Sequence, residues 1–301
     1  MRRTALSFLF IFLSVLVFAD PAQSGGSSHA GSSLQQKTPS ERYRGWRKTE
    51  TEHFTFIFEP KDEASVAELL TFCEDSYQKV ADYFGFYPDH INCIVNGRTD
   101  TANGYFSALP NRIELYITSP SGPWLGSKTE NWLELLLIHE LVHYVHMNYN
   151  KGFMYALSRV FGYELRVSAN GFLPGWMIEG IAVALETSLT ESGRGRNPFF
   201  ELYWKAPLLE GDLFSLRQAS YSSPFPPPGR IYYAGYILVD YMMRHFGDDV
   251  FKRIHDRFVK FPFFLSLRAI RTVTGKRAEE IYSGMVTELE GRYASAKEIK
   301  D

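Results

Sequence analysis

Apolar and polar positions alternate along Glu52-His53-Phe54-Thr55-Phe56-Ile57-Phe58, the pattern of a half-buried strand. The period then changes. From Asp62 to Phe84 the apolar residues Ala64, Ala67, Leu70, Phe72, Val80, Ala81 and Phe84 fall on one side of an amphipathic helix, and Gly85 stops it. His90–Val95 reads as a second strand. Asn103–Ser107 and Arg112–Ile117 read as two more, joined through Leu109-Pro110-Asn111. Leu133 to Asn148 is apolar nearly all round, which predicts a helix buried in the middle of a domain. Phe153–Leu165 predicts a further helix, placed where a lid would be. Pro174 and Gly175 punctuate the start of another, running to Glu186. A helix is expected from Arg230 to Phe246, and a helical, aromatic tail from Asp249 to Arg292 closes the core. Strands gathered early and helices late give an α+β domain with a small mixed sheet and a helical C-terminal lobe.

The ends change this picture little. Met1-Arg2-Arg3 precedes an apolar run from Leu6 to Ala19, too short to span a bilayer comfortably, so residues 1–19 read as a secretory signal peptide. Cleavage near Ala19 gives an exported, periplasmic or extracellular chain. Loss of Arg2 and Arg3 takes its formal net charge from −2 to −4. Residues 20–45 are rich in Ser and Gly and read as a flexible linker, leaving 46–295 as the folded domain. Ser222–Gly229 reads as a rigid polyproline connector. No basic excess points to nucleic acid, and no stable transmembrane span is expected. Cys73 and Cys93, an even pair in an exported chain, permit one disulfide or two buried thiols.

The candidate chemistry sits in the buried helix. His139-Glu140-Leu141-Val142-His143 puts two imidazoles one turn apart on one face, spaced to hold one metal ion at about 2.0–2.1 Å each. Glu140 lies beside that position and can take a proton from a water the metal acidifies. Two histidines and a carboxylate in so apolar a helix are costly to bury without a partner, and a metal supplies one. His146 and Asn148, farther along, are candidates for lining the pocket or meeting substrate. A catalytic zinc site needs a third donor. The next helix offers Glu179 and Glu186, seven residues apart on one face. One can bind the metal while the other hydrogen-bonds a ligating histidine.

His139-Glu-x-x-His143 followed by Trp176-x-x-Glu179-Gly180-x-Ala182 resembles the gluzincin metallopeptidases, thermolysin-like and M1-like, over roughly Glu52 to Tyr282. The metzincin pattern is excluded because His146 stands where that class has glycine. The 36 residues from His143 to Glu179 exceed the gap in thermolysin and resemble the bacterial peptidase MA-like proteins, with 149–172 as an insertion. The resemblance implies Zn2+ held by His139, His143 and Glu179, with Glu140 as general base. It also implies a sheet edge that pairs with an extended peptide. Arg230-Ile231-Tyr232-Tyr233-Ala234-Gly235 resembles the Tyr-x-x-Gly element in which a tyrosine stabilises the oxyanion, here Tyr232 with Tyr233 as neighbour. The activity implied is hydrolysis of a peptide or protein substrate. The alternative is a non-catalytic, zinc-stabilised peptide-binding module of the cell envelope. Arg194-Gly195-Arg196 reads as a solvated loop, with substrate contact as the lesser reading.

Overall fold

A computed structural model describes residues 45–120, 131–162, 167, 169–222, 229–260 and 266–294. The expected signal peptide, residues 20–44 of the linker and 223–228 of the polyproline segment lie outside the described residues. Among those described, no helix is long and apolar enough to cross a membrane.

Five strands form one mixed sheet: β1 (Arg47–Glu50), β2 (Phe54–Phe58), β3 (Ile91–Asn96), β4 (Gly104–Ala108) and β5 (Asn111–Tyr116), in the order β1-β2-β3-β5-β4. β1 and β4 pair antiparallel with their neighbours, and β2, β3 and β5 run parallel. The parallel β2–β3 pair needs a long crossover, supplied by α1 (Glu63–Leu69) and α2 (Cys73–Phe84). The period-two pattern sets one buried face: Phe54, Phe56 and Phe58, then Ile91, Cys93 and Val95, then Ile113 and Leu115. Register aligns Phe56, Cys93, Ile113 and Phe106 in one row across the sheet. Cys73 and Cys93 are both buried and carry free thiols.

The sequence pattern missed β1, whose Arg-Lys-Thr-Glu side chains, exposed except for half-buried Thr49, carry no apolar alternation because it is an edge strand. The helix expected over Asp62–Phe84 is two. Around the break the Thr71 hydroxyl donates to the Glu68 carbonyl at 2.7 Å, a local bond that competes with helix continuation. Gly85, at φ 62°, ends α2 as expected.

Against the buried face lies α3 (Trp132–Asn148), which also packs on α2, β4 and β5. Asn131 caps it by accepting from the Glu134 N–H. The insertion opens with α4 (Gly152–Phe161), which stops at Gly162 (φ 106°); 163–166 lie outside the described residues. Beyond it, α5 (Gly175–Leu189) packs on α3, which is therefore covered on all sides. The remaining helices complete the lobe: α6 (Pro198–Glu210), α7 (Leu216–Ala219), α8 (Arg230–Phe246), α9 (Val250–Phe258), α10 (Ser266–Thr274) and α11 (Ala278–Arg292).

The tightest helix pair is α5 with α8, and glycine is the reason. A Cβ on Gly180 would stand 2.4 Å from the Gly235 carbonyl carbon, and one on Gly235 would stand 2.5 Å from the Trp176 carbonyl oxygen. These obstacles are backbone atoms, which cannot rotate aside. Gly180→Ala gains about 1 kcal/mol of helix propensity. Forcing the helices apart costs typically about 1–3 kcal/mol and more where nothing yields. The expected result is net destabilisation by about 1–2 kcal/mol, read as a lower denaturant midpoint at unchanged m-value; a midpoint at or above wild type would refute the packing argument.

Candidate metal centre

α3 and α5 bring three donor atoms together. His139 Nε2 and His143 Nε2 stand 3.1 Å apart. Glu179 Oε2 lies 3.5 Å from the first and 3.2 Å from the second. All three side chains are buried, and they form the one His/His/Glu group able to hold a metal among the described residues. Donors bound tetrahedrally at about 2.0–2.1 Å from a common centre are separated by ~3.3 Å, so the observed triangle fits a zinc ion. Glu179 Oε2 makes no well-formed hydrogen bond in this buried pocket.

The electrostatics agree with the donor set. Burial pushes the Glu179 carboxyl up, but His143 and His139 outweigh it and hold it well below the usual carboxylate range. Burial and Arg194 push His139 down, and the Glu179 and Glu186 carboxylates beside it outweigh them, so the metal-free imidazole holds its proton more tightly than usual. Glu140 is buried beside the triad, and burial raises its pKa. Its Oε2 has no hydrogen-bond partner. Gly104 of β4 makes room for it: a Cβ there would lie 2.8 Å from Leu136 Cδ1 and 3.2 Å from Glu140 Cγ.

Glu186, two turns after Glu179 on α5, is fully buried and accepts from His139 Nδ1 at 2.8 Å. It takes the second of the two tasks that the sequence left open between Glu179 and Glu186. Its charge is balanced by Arg194, whose Nε and Nη2 donate to its two carboxylate oxygens at 2.6 and 2.7 Å. Arg194 is four-fifths buried, with 20% of its side chain exposed, so the solvated loop expected around it is corrected here. Burial pushes the Glu186 carboxyl up, and the Arg194 guanidinium outweighs it and holds it down at about 2.

The two tyrosines part company. Tyr232 lies over His139, ring centroids 6.5 Å apart, with the Arg194 guanidinium 5.6 Å from its own centroid. Tyr233 stacks on Tyr203 at 4.2 Å and meets Phe200 edge-on in an aromatic cluster of the helical lobe. Asn148 sits at the far end of α3, where its Nδ2 donates to Asn111 Oδ1 and to the Tyr144 carbonyl.

His146 is also off the site. It shares the face of His139 and His143 but lies about 4.5 Å farther along the axis. Its ring is buried between Phe84 (5.3 Å) and His255 (4.5 Å), and neither nitrogen is hydrogen-bonded. Burial holds His255 down at about 4 and His146 well below its ordinary value. Above pH ~6.5 both rings are neutral folded or unfolded, and this contribution to stability is whole. As pH falls, the unfolded chain takes up protons that the folded chain refuses. Stability therefore drops from about pH 6.5 to about pH 4, by up to about 1.4 kcal/mol per pH unit for each ring. Melting temperature should fall across this window, and more gently in His255→Phe. Parallel profiles for the two proteins would show that the pair is not responsible.

No family model matches the chain, and no curated protein sequence matches it. Among solved structures, the chain is similar to a variant of an M1 zinc metallopeptidase from Deinococcus radiodurans bound to a Tyr-Ser-Ala substrate. Identity is 14% and the TM-score 0.42, over 80% of this chain and 51% of that one. It is also similar to an aminopeptidase N family protein from Idiomarina loihiensis, at 14% identity and TM-score 0.39 over 71% of this chain and 40% of that one. The chain thus spans about half the length of the first and two-fifths of the second.

Proposed function

We propose that this chain is a zinc-dependent peptidase that hydrolyses peptide bonds, with His139, His143 and Glu179 holding the metal and Glu140 acting as general base. The observation that carries the reading is the donor triangle with 3.1–3.5 Å edges and an unpartnered buried carboxylate beside it. A bound zinc ion supplies Lewis acidity toward the scissile carbonyl and the attacking water. Glu140 then takes a proton from that water and delivers it to the leaving amine; a raised pKa suits a group that must hold the proton between the two steps. Tyr232, beside His139, is the residue assigned to donate to the oxyanion. β4 ends the sheet next to Glu140, and its outer edge offers main-chain hydrogen bonds to an extended substrate.

The same reading places the chain outside the cytoplasm, on the strength of the apolar run Leu6–Ala19. The direct test is the zinc content of the purified chain beside its hydrolysis of a quenched-fluorescence peptide library. About one zinc per chain, with hydrolysis lost on chelation and restored by zinc, is the expected result. A chain that takes up no zinc would overturn the reading.

A further inference from the structure

We infer that Arg194 is a positioning residue of the metal centre: its fork fixes the Glu186 carboxylate so that His139 keeps its proton on Nδ1 and presents Nε2 to the metal. The inference rests on the zinc reading above and adds a residue to it.

The geometry is a closed circuit. His139 Nδ1 donates to Glu186 Oε2 at 2.8 Å. Arg194 Nη2 donates to the same oxygen at 2.7 Å, Arg194 Nε to Oε1 at 2.6 Å, and the Arg194 backbone N–H to Oε1 at 3.2 Å. The guanidinium lies over Tyr232, and the Tyr232 ring lies over His139. A fully buried carboxylate needs a counter-charge of this kind, and only a planar fork fixes both of its oxygens at once.

Arg194 Nη2 is also 2.7 Å from His139 Nδ1. A guanidinium has donors only. If Glu186 did not hold the Nδ1 proton, Arg194 would donate to Nδ1 instead, the ring proton would move to Nε2, and the metal face of His139 would be blocked. Arg194 thus supports the site through Glu186 and opposes it without Glu186.

The loop is built to hold this position. A Cβ on Gly193 would stand 2.1 Å from Thr187 Cα, and one on Gly195 would stand 2.2 Å from the Tyr236 ring. The Gly195 N–H donates to Thr187 Oγ1 at 3.0 Å, and Arg196 Nη1 donates to the Thr190 carbonyl at 2.6 Å. Gly193-Arg194-Gly195-Arg196 is therefore laid tightly against the end of α5.

The test is zinc affinity, measured by chelator competition on the full folded chain for wild type, R194K, R194M, E186Q and E186Q/R194M. Loss of a partner that orients a ligand weakens metal binding by about 10–100-fold. R194M should show such a loss, and R194K, with a single donor nitrogen in place of a planar fork, a smaller one. In E186Q the Arg194 fork claims the amide oxygen and turns the NH2 toward Nδ1, so this variant should bind zinc most weakly. Removing the Arg194 side chain as well leaves only the residue-194 backbone N–H, at 3.2 Å, on the amide oxygen, so the amide can turn that oxygen to the shorter bond with Nδ1–H. The double variant should therefore bind zinc about tenfold more tightly than E186Q. A residue that only stabilised the fold would make the double variant worse. Wild-type affinity in R194M, or a double variant no tighter than E186Q, overturns the inference. If R194M does not fold, R194K and the double variant, which leaves no unpaired charge, decide it. No zinc in the wild type would instead overturn the zinc-peptidase reading itself.

Discussion

Glu140→Gln should lose about 10²–10⁴-fold in turnover of any substrate peptide and keep its zinc. The magnitude is that of one positioned acid–base group. Gln has the shape of Glu, so it fits the space that Gly104 leaves on β4 and the packing of α3 survives. What disappears is the ability to accept a proton. The three donor atoms of the metal site come from His139, His143 and Glu179, none of which the substitution alters. The measurement is kcat beside zinc content on one preparation. Loss of turnover with zinc retained assigns the proton to Glu140. Retention of both would remove the general-base role. A wild type that binds zinc and peptide without cleaving would favour the binding-module reading, in which Glu140 has no proton to carry.

The part of the site that was legible in the sequence is the part carried by a period. His139 and His143 at i and i+4, and Glu179 and Glu186 seven apart, are geometric statements once each segment is a helix, and the apolar runs around them fix the helices. The alternating strands gave the buried face of the sheet for the same reason. What escaped has no period. Arg194 meets Glu186 only because α5 ends at Leu189 and the chain doubles back, so the contact depends on a loop path. The visible signal was the glycine on each side of it, which marks a close backbone approach as readily as a solvent loop. His146 escaped in the other direction. The helical wheel puts it with the ligands, and only the packing of Phe84 and His255 shows that its turn belongs to another cluster. β1 and the helix break near Thr71 are settled by edge exposure and one hydroxyl, neither of which a hydrophobicity pattern records.

Stripping the metal should cost the chain roughly 4 kcal/mol of stability when zinc stands about a thousandfold above its Kd. For a fold of this size that is about 2–4 °C per kcal/mol, a fall in melting midpoint of about 8–16 °C. A metal held only by the folded chain would contribute this by mass action, since its donors come from separate elements, His139 and His143 on α3 and Glu179 on α5, and the unfolded chain offers no preformed site. The metal-free chain repairs part of the loss. His139 takes up a proton and pairs with Glu179 and Glu186, against the opposing effects of burial and Arg194. Zinc must expel that proton, because a ligating imidazole is neutral. Metal binding therefore strengthens as pH rises, by about tenfold per unit while the metal-free ring stays protonated, and the gap between the zinc-loaded and chelated midpoints widens with it. Calorimetry of the two forms at pH 6.5 and 7.5 measures both effects. Equal midpoints at both pH values would mean that the donor triangle holds no metal in solution. A pH-independent gap would mean that zinc enters without displacing a proton, and that His139 is neutral before the metal arrives.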